Sequence, residues 1–468
     1  MRAANAQAPV STGLPASANT APAERRPPRP HSPHIRRGRP PRRPAARITA
    51  LALILSVATG GSAHAACTGD CNGDHAVTIN ELLSGVSISL GSAAMSVCAD
   101  FDRNGDGRVA VDELIAGVGN ALQGCAGQTR AFVVTSDFTT GSFATVGLDP
   151  PHALMASNPR HLLHRDAVVR AHDGLVYVVN RLFADNIQVL DPARDFATRS
   201  QCSTGNGTNP HDIAFVDAHK AYVSRFETPK LLIVNPSPQP TCTDFTLGTV
   251  DLAAVADADG NPDMDQMAVV GDRLYVALQH LDINTILRTP AEKAAIAVVD
   301  TATDELVGSI ELSGENPFAA TKGLTVRGGA IYVAEAGLFG VMDGGIERID
   351  LATQRAQGFF VTEQDLGGDV TDFAFVSDRL AYAIVNQPGF TNALVAFDPI
   401  TRQITNTLRQ ASGYTLFDVE LNDRGELYLG DRTRRAPGVR VFRAADGAPL
   451  TDGALDLVLP PFEIVFIP

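Results

Sequence analysis

The sequence predicts a mainly β protein, a seven-bladed β-propeller closed by its C-terminal strand, with a small helical module ahead of it. Two observations carry the β part. An aromatic residue recurs in seven similar apolar segments, "RAFVVTSD", "LVYVVNR", "KAYVSR", "RLYVALQ", "AIYVAEA", "LAYAIVN" and "ELYLGD". They place Phe132, Tyr177, Tyr222, Tyr275, Tyr332, Tyr382 and Tyr428 at one position, and six of the chain's seven Tyr fall there. Each segment is followed by a second strand-like run, such as "IQVLDP" or "LVAFDPIT". A third observation carries the helical module: two acidic loops, "DCNGDHAVTINE" and "DRNGDGRVAVDE", each leading into a helix-period run. The chain divides accordingly into residues 1–65, 66–126 and 127–468.

In chain order, the first segment is a leader. Residues 1–47 hold ten Arg against one Glu, although the whole chain carries a net charge of −14. The Pro/Arg-rich residues 1–40 have no core-forming pattern and read as disordered. An apolar run from Ile48 to about Thr59 follows, then Ala63-His64-Ala65. This is the pattern of a secretory signal cleaved near Ala65, and its apolar run is too short to span a bilayer. The chain is therefore expected to be secreted or held in the cell envelope, without a stable membrane span. The acidic remainder argues against nucleic acid as a partner.

The acidic loops come next. A hard cation such as calcium takes six to eight oxygens, and a 12-residue loop supplies them from positions 1, 3, 5, 7, 9 and 12. In the first loop these are Asp70, Asn72, Asp74, the Ala76 carbonyl, Thr78 and Glu81. In the second they are Asp102, Asn104, Asp106, the Arg108 carbonyl, a water near Ala110, and Glu113. Gly107 stands at the sharp turn of the second loop, where His75 stands in the first, so the second of the two calcium sites is expected to be the tighter. Helices follow with apolar positions Leu82, Leu83, Val86 and Leu90, then Leu114, Ile115, Val118 and Leu122. The residues between the signal and Asp70 ("ACTG") are too few for an entering helix. This loop–helix half of an EF-hand, repeated once over residues 67–125, resembles the dockerin type I repeat. That resemblance implies docking to a cohesin-like module. The alternative is a mini-domain stapled by calcium and disulfides that docks nothing.

Six Cys follow the signal, an even number, as in exported disulfide proteins. Cys67, Cys71, Cys98 and Cys125 bracket the acidic loops and allow three pairings. Cys202 and Cys242 lie past the second strands of consecutive repeats and are expected to pair.

The repeats recur every 45 to 57 residues. Each after the first opens with a further strand: "DAVV", "DIAF", "QMAV", "GLTV", "DFAF" and "DVEL". A seventh copy, "EIVF", stands at 463. The first repeat lacks an opener, so the seventh copy is expected to complete it and close the ring. The pattern resembles the YVTN family of β-propellers, with "YVVN" at 177–180 the nearest match. That resemblance implies the fold but leaves the function open among enzymes, surface proteins and binding scaffolds.

The openers begin with Asp166, Asp212, Gln266, Gly323, Asp372, Asp418 and Glu463. They are read either as turn caps or as acids converging on a channel mouth, where a cation or raised pKa values would relieve their repulsion. "DADGNPDMD" (Asp257 to Asp265) reads as a solvated acidic loop or a calcium loop. Five His between 152 and 211 form no recognised motif, and no GxSxG, HExxH or phosphate-loop pattern is present. The leading reading is an exported calcium-binding protein whose dockerin-like module carries a propeller that binds a ligand, a cell-surface protein or a glycan. Beside it stand a metal-dependent, lactonase-like propeller hydrolase and a purely structural envelope protein.

Overall fold

A strand buried on both faces needs a packed neighbour on each side, and the Tyr-bearing segments are strands of this kind. Leu175–Asn180, Lys220–Arg225, Arg273–Leu278 and Glu426–Asp431 are each buried at every residue after the first. In the computed structural model, which describes residues 68–71, 77–102, 108–123, 128–157, 162–239, 241–282, 284–285, 288–318 and 322–468, these strands lie second in seven antiparallel sheets. The expected seven-bladed β-propeller is present. Its core lies between successive blades.

The innermost strands are Pro461–Ile467 in blade one, then Ala167–His172, Pro210–Asp217, Met264–Val270, Thr325–Arg327, Asp369–Phe375 and Leu416–Leu421 in blades two to seven. Blade one is completed by residues distant in sequence. Pro461–Ile467 pairs antiparallel with Arg130–Ser136, setting Phe132 opposite Val465 and Arg130 opposite Ile467. Arg432 of blade seven clasps this junction. Its guanidinium donates to the carbonyls of Ser136 (2.9 Å) and Pro461 (2.8 Å) and lies over the Phe138 and Phe462 rings. Blade seven departs from the expected four strands. It has three, and the outer one, Gly438–Arg443, is covered by isolated bridges from Val439 to Leu455 and from Phe442 to Pro449 in place of a fourth strand.

The repeated Tyr links blades. Tyr177 donates to the Pro236 carbonyl of the next blade (3.2 Å), and Tyr382 donates to the Ala444 carbonyl (2.8 Å). Tyr222 donates to the Asp304 carboxylate, and Tyr428 reaches His152 of blade one. Phe132 has no hydroxyl and packs instead on Phe196 of blade two. Farther out, Cys202 of blade two and Cys242 of blade three form the expected disulfide.

In the helical module, α1 (Ile79–Ser89) and α2 (Val111–Gln123) pack against Phe101, which is fully buried. Both helices have Gly where they meet this ring. A Cβ on Gly85 or on Gly117 would stand 2.5 Å from a ring carbon of Phe101. The two glycines are equivalent positions of the repeat. Of the pairings left open by the sequence, Cys71–Cys98 is formed; Cys67 and Cys125 lie outside the described residues.

Two outcomes follow for stability. Deleting residues 461–468 exposes the edge of Arg130–Ser136, so the truncated chain should aggregate and unfold below the full chain in a thermal melt. An unchanged midpoint in a monomeric truncation would show that this strand closes nothing. Phe101→Ala should cost about 3–5 kcal/mol within the small module, read by hydrogen exchange of α1 and α2.

Candidate functional site

The two loop–helix repeats share one backbone-to-Glu bond at the same place. The Thr78 backbone N–H donates to Glu81 Oε2 at 2.8 Å, and the Ala110 N–H donates to Glu113 Oε2 at 2.8 Å. The other oxygen of Glu81 accepts from the Cys71 N–H at 3.0 Å, folding the twelfth residue of the loop back over its start. Asp70, Glu81 and Glu113 are buried. Thr78 and Glu81 also form the capping box of α1, so one constellation serves the helix start and encloses the loop. Asp102, Arg108 and Ala110 are described at the ends of the second loop. Asn72, Asp74, Ala76, Asn104 and Asp106, the middles of both loops, lie outside the described residues.

The helix-period residues divide. Leu82, Ile88 and Leu114 turn inward towards Phe101 and Val109. The rest face solvent: Ile79, Leu83, Val86 and Leu90 in the first repeat, and Val111, Ile115, Val118 and Leu122 in the second. Their exposure runs from 41% at Val86 to 81% at Leu122. Each exposed residue of the first set has its counterpart in the second at the same place in the repeat. Burial of the module's own core thus explains only the smaller part of this periodicity.

In the propeller, four of the opening residues, Asp212, Asp372, Asp418 and Glu463, converge on the channel as one of the two readings expects, with cations beside them and raised pKa values among them. Each of these four carboxylates reaches sideways to the next blade. Asp212 accepts from the Met267 N–H (2.8 Å), Asp372 from the Val419 N–H (2.7 Å) and Asp418 from the Ile464 N–H (2.8 Å). Glu463 accepts from the Val169 N–H, carrying the series across the ring closure. A register shift lies beside this position in blades one, three, four, six and seven, and such bulges re-aim side chains. Blade two has none: Ala167–His172 pairs without interruption, and Val168 occupies the slot. Asp166 therefore lies outside the ring, paired with Arg181.

Two cations span the ring. Arg170 of blade two bonds Glu463 of blade one (2.7 Å) and Asp212 of blade three (2.8 Å). Lys322, just ahead of the inner strand of blade five, bonds Asp372 (3.0 Å) and Glu420 (3.2 Å) of blades six and seven. Burial pushes Glu463 up to about 8 against the pull of Arg170. Burial raises Asp418 well above the usual carboxylate range, and the charges of Glu420 and Asp372 raise it further. Burial opposes the Lys322 ammonium, yet Asp372, Glu420 and Asp418 together hold it above its ordinary value. Among the described residues, no group of three or more His, Cys, Asp or Glu is arranged to hold a metal ion.

This layer divides the channel. On one side a cavity of about 520 Å³ is lined by Arg170, His172, Lys322 and Glu420 together with apolar inner-strand residues. On the other, a mouth of about 330 Å³ is lined by six phenylalanines: Phe138, Phe226, Phe318, Phe339, Phe417 and Phe462. His211 and Asp265 line the same mouth, each one residue ahead of the layer, on the inner strands of blades three and four. His211 Nδ1 lies 2.9 Å from Asp265 Oδ1, and the His211 ring stacks on Phe226 at 4.5 Å. Sequence reasoning missed this pair. The His belonged to no motif, and Asp265 was counted with an acidic loop. That loop is in fact split. Asp257 and Asp259 form turns through backbone N–H groups, whereas Asp263 and Asp265 are buried, and burial pushes Asp263 up to about 7.

No protein-family model and no curated protein matches the sequence. Solved structures similar to the chain include apo AztD from Citrobacter koseri, 12% identical over 72% of this chain and 97% of that one, with a TM-score of 0.43. The Dos1 propeller is 11% identical over 70% and 86%, with a TM-score of 0.43. A functionally unknown protein from Desulfotomaculum acetoxidans is 11% identical over 72% and 99%, with a TM-score of 0.44. The two disulfides fit an extracellular protein. Among the described residues, no helix is long and apolar enough to cross a membrane.

The buried acids set a pH dependence. Glu463 (about 8), Glu363 and Asp263 (each about 7) and Asp418 hold protons in the folded state that the unfolded chain releases near pH 4. Their contribution is fully present below the unfolded values and is lost as pH rises through 7 to 8. Turn aspartates such as Asp300 and Asp398, held low by backbone N–H groups, act below that window. The melting temperature should therefore rise as pH falls from 8 to 5. Glu463→Gln should flatten the stability slope near pH 7 by up to about 1.4 kcal/mol per pH unit; an unaltered slope would remove Glu463 from the account.

Proposed function

We propose that this chain is an exported calcium-binding docking protein. Its helical module binds two calcium ions and attaches the chain to a cohesin-like partner module, and its propeller presents a ligand-binding mouth. The observation that carries this reading is the duplicated apolar stripe. Eight large side chains, four per repeat at matching places, face water on helices that spend little of their apolar surface on their own core. Exposed apolar surface of this extent on so small a unit favours association. Its duplication favours a partner able to use either helix.

Calcium fits the donor set. Both loops end in a buried Glu folded back onto the loop, and both begin with Asp. The export reading draws on the leader and on the disulfides. The metal-dependent hydrolase reading loses support, because the channel carboxylates it would use are engaged with backbone N–H groups and with Arg170 and Lys322.

The test is calorimetric and then associative. Titrating the calcium-free full chain with calcium should give two events, and Glu113→Gln should remove the tighter one. On an immobilised panel of purified cohesin modules, the calcium-loaded chain should bind and the chelator-treated chain should not. Leu83→Asp alone should weaken binding, and Leu83→Asp with Ile115→Asp should abolish it. Unchanged calcium affinity in Glu113→Gln would overturn the metal assignment. Full binding by the double variant would overturn the docking face.

A further inference from the structure

The aromatic mouth carries a chemistry of its own. His211 is fixed on two sides. Its ring lies flat on Phe226, with an interplanar angle of 13° and a centroid separation of 4.5 Å, and its Nδ1 faces Asp265 Oδ1. Asp265 is buried, and its second oxygen accepts from Gln279 Nε2 at 2.8 Å. A carboxylate held in this way is an acceptor, so the hydrogen of the neutral imidazole sits on Nδ1 and the lone pair on Nε2. Among the described residues, Nε2 has no hydrogen-bond partner. The mouth thus offers one oriented acceptor within an aromatic enclosure.

The other polar groups of the mouth are already engaged. Arg181 pairs with Asp166, Arg288 with Glu227, and the Asn316 amide donates to the Gly337 carbonyl. Both arginines that line the mouth are thus already paired with carboxylates, so an anionic ligand would gain little from them. A sugar would leave most of its hydroxyls facing phenyl rings that cannot bond them. The rings themselves are set edge to face, Phe318 to Phe339 at 5.3 Å and Phe138 to Phe462 at 5.8 Å, an arrangement that accepts a further flat ring. Phe138 and Phe339 are half exposed, which leaves apolar surface for a ligand to cover. The volume of about 330 Å³ is at the small end of ligand pockets.

We propose that this mouth binds a neutral, planar aromatic alcohol, a phenol, with its ring among the phenylalanines and its hydroxyl donating to His211 Nε2. The proposal rests on reading the propeller as the ligand-binding part of the chain. The probes are phenol, which stays un-ionised at about pH 8 where an ordinary imidazole is neutral, and anisole, which has the same ring but no hydroxyl hydrogen. Each is titrated into the full chain and followed by calorimetry. The phenol should bind at least ten-fold more tightly than the anisole. His211→Phe, which keeps the stack and removes the acceptor, should abolish that difference by weakening the phenol alone. Phe339→Ala, at a half-exposed site, should weaken both. Equal binding of the two probes to the native chain, or phenol binding unchanged in His211→Phe, would overturn the phenol assignment. If Phe339→Ala still weakened both probes, the mouth would remain a ligand site for another class. Failure of both probes to bind would overturn the mouth itself and leave the docking face of the helices untouched.

Discussion

A ring of sheets stands or falls on what holds each blade to the next, and here, at four of the seven junctions, that is a side-chain acceptor on one inner strand meeting a backbone N–H on the following one. Asp212, Asp372, Asp418 and Glu463 all make this bond. A buried N–H left unpaired costs as much as a lost hydrogen bond, and the inner strand of a blade has no further strand to pair it. The carboxylate supplies the missing acceptor. Its burial would be costly if it stayed charged and alone; Arg170 and Lys322 offset part of that cost, and retained protons offset more. The channel is therefore a bonded layer with a cavity on each side, and the chemistry of the propeller is confined to its two mouths.

Much of this was legible in the sequence. The aromatic repeat announced seven equivalent strands because the ring is buried at the same place in each blade, and at Tyr177, Tyr222, Tyr382 and Tyr428 the hydroxyl also reaches the neighbouring blade. The opener strands announced ring closure because one repeat lacked an opener and one opener lacked a repeat. The bond each opening acid makes was not legible. Whether Asp212 caps a turn, binds a metal or reaches the next blade depends on where a bulge turns it, and a bulge leaves no mark in the pattern of residue types. Blade two shows this from the other side. "DAVV" looks like its relatives, but the strand is unbulged, Val168 fills the slot, and Asp166 goes to Arg181. His211 and Asp265 lie 54 positions apart in sequence and meet only because equivalent places on adjacent blades are neighbours.

The helical module teaches the opposite lesson. Its helix period was plain, but a period does not say which residues meet a core and which meet something else. Phe101 decides it. One phenyl ring fills the space between Gly85 and Gly117, so a very small core suffices and most of the apolar stripe is left outside.

The pairing of Pro461–Ile467 with Arg130–Ser136 also bears on the order of events during synthesis. The first sheet is among the earliest parts of the propeller to emerge, yet it must wait for a strand made after all the other blades. Contacts this distant in sequence form slowly, because the loop entropy is spent before they are gained. Until then the growing chain keeps an open edge and no closed ring. A protein built this way stays unclosed, and therefore open to unravelling from either end, until its last strand has been made.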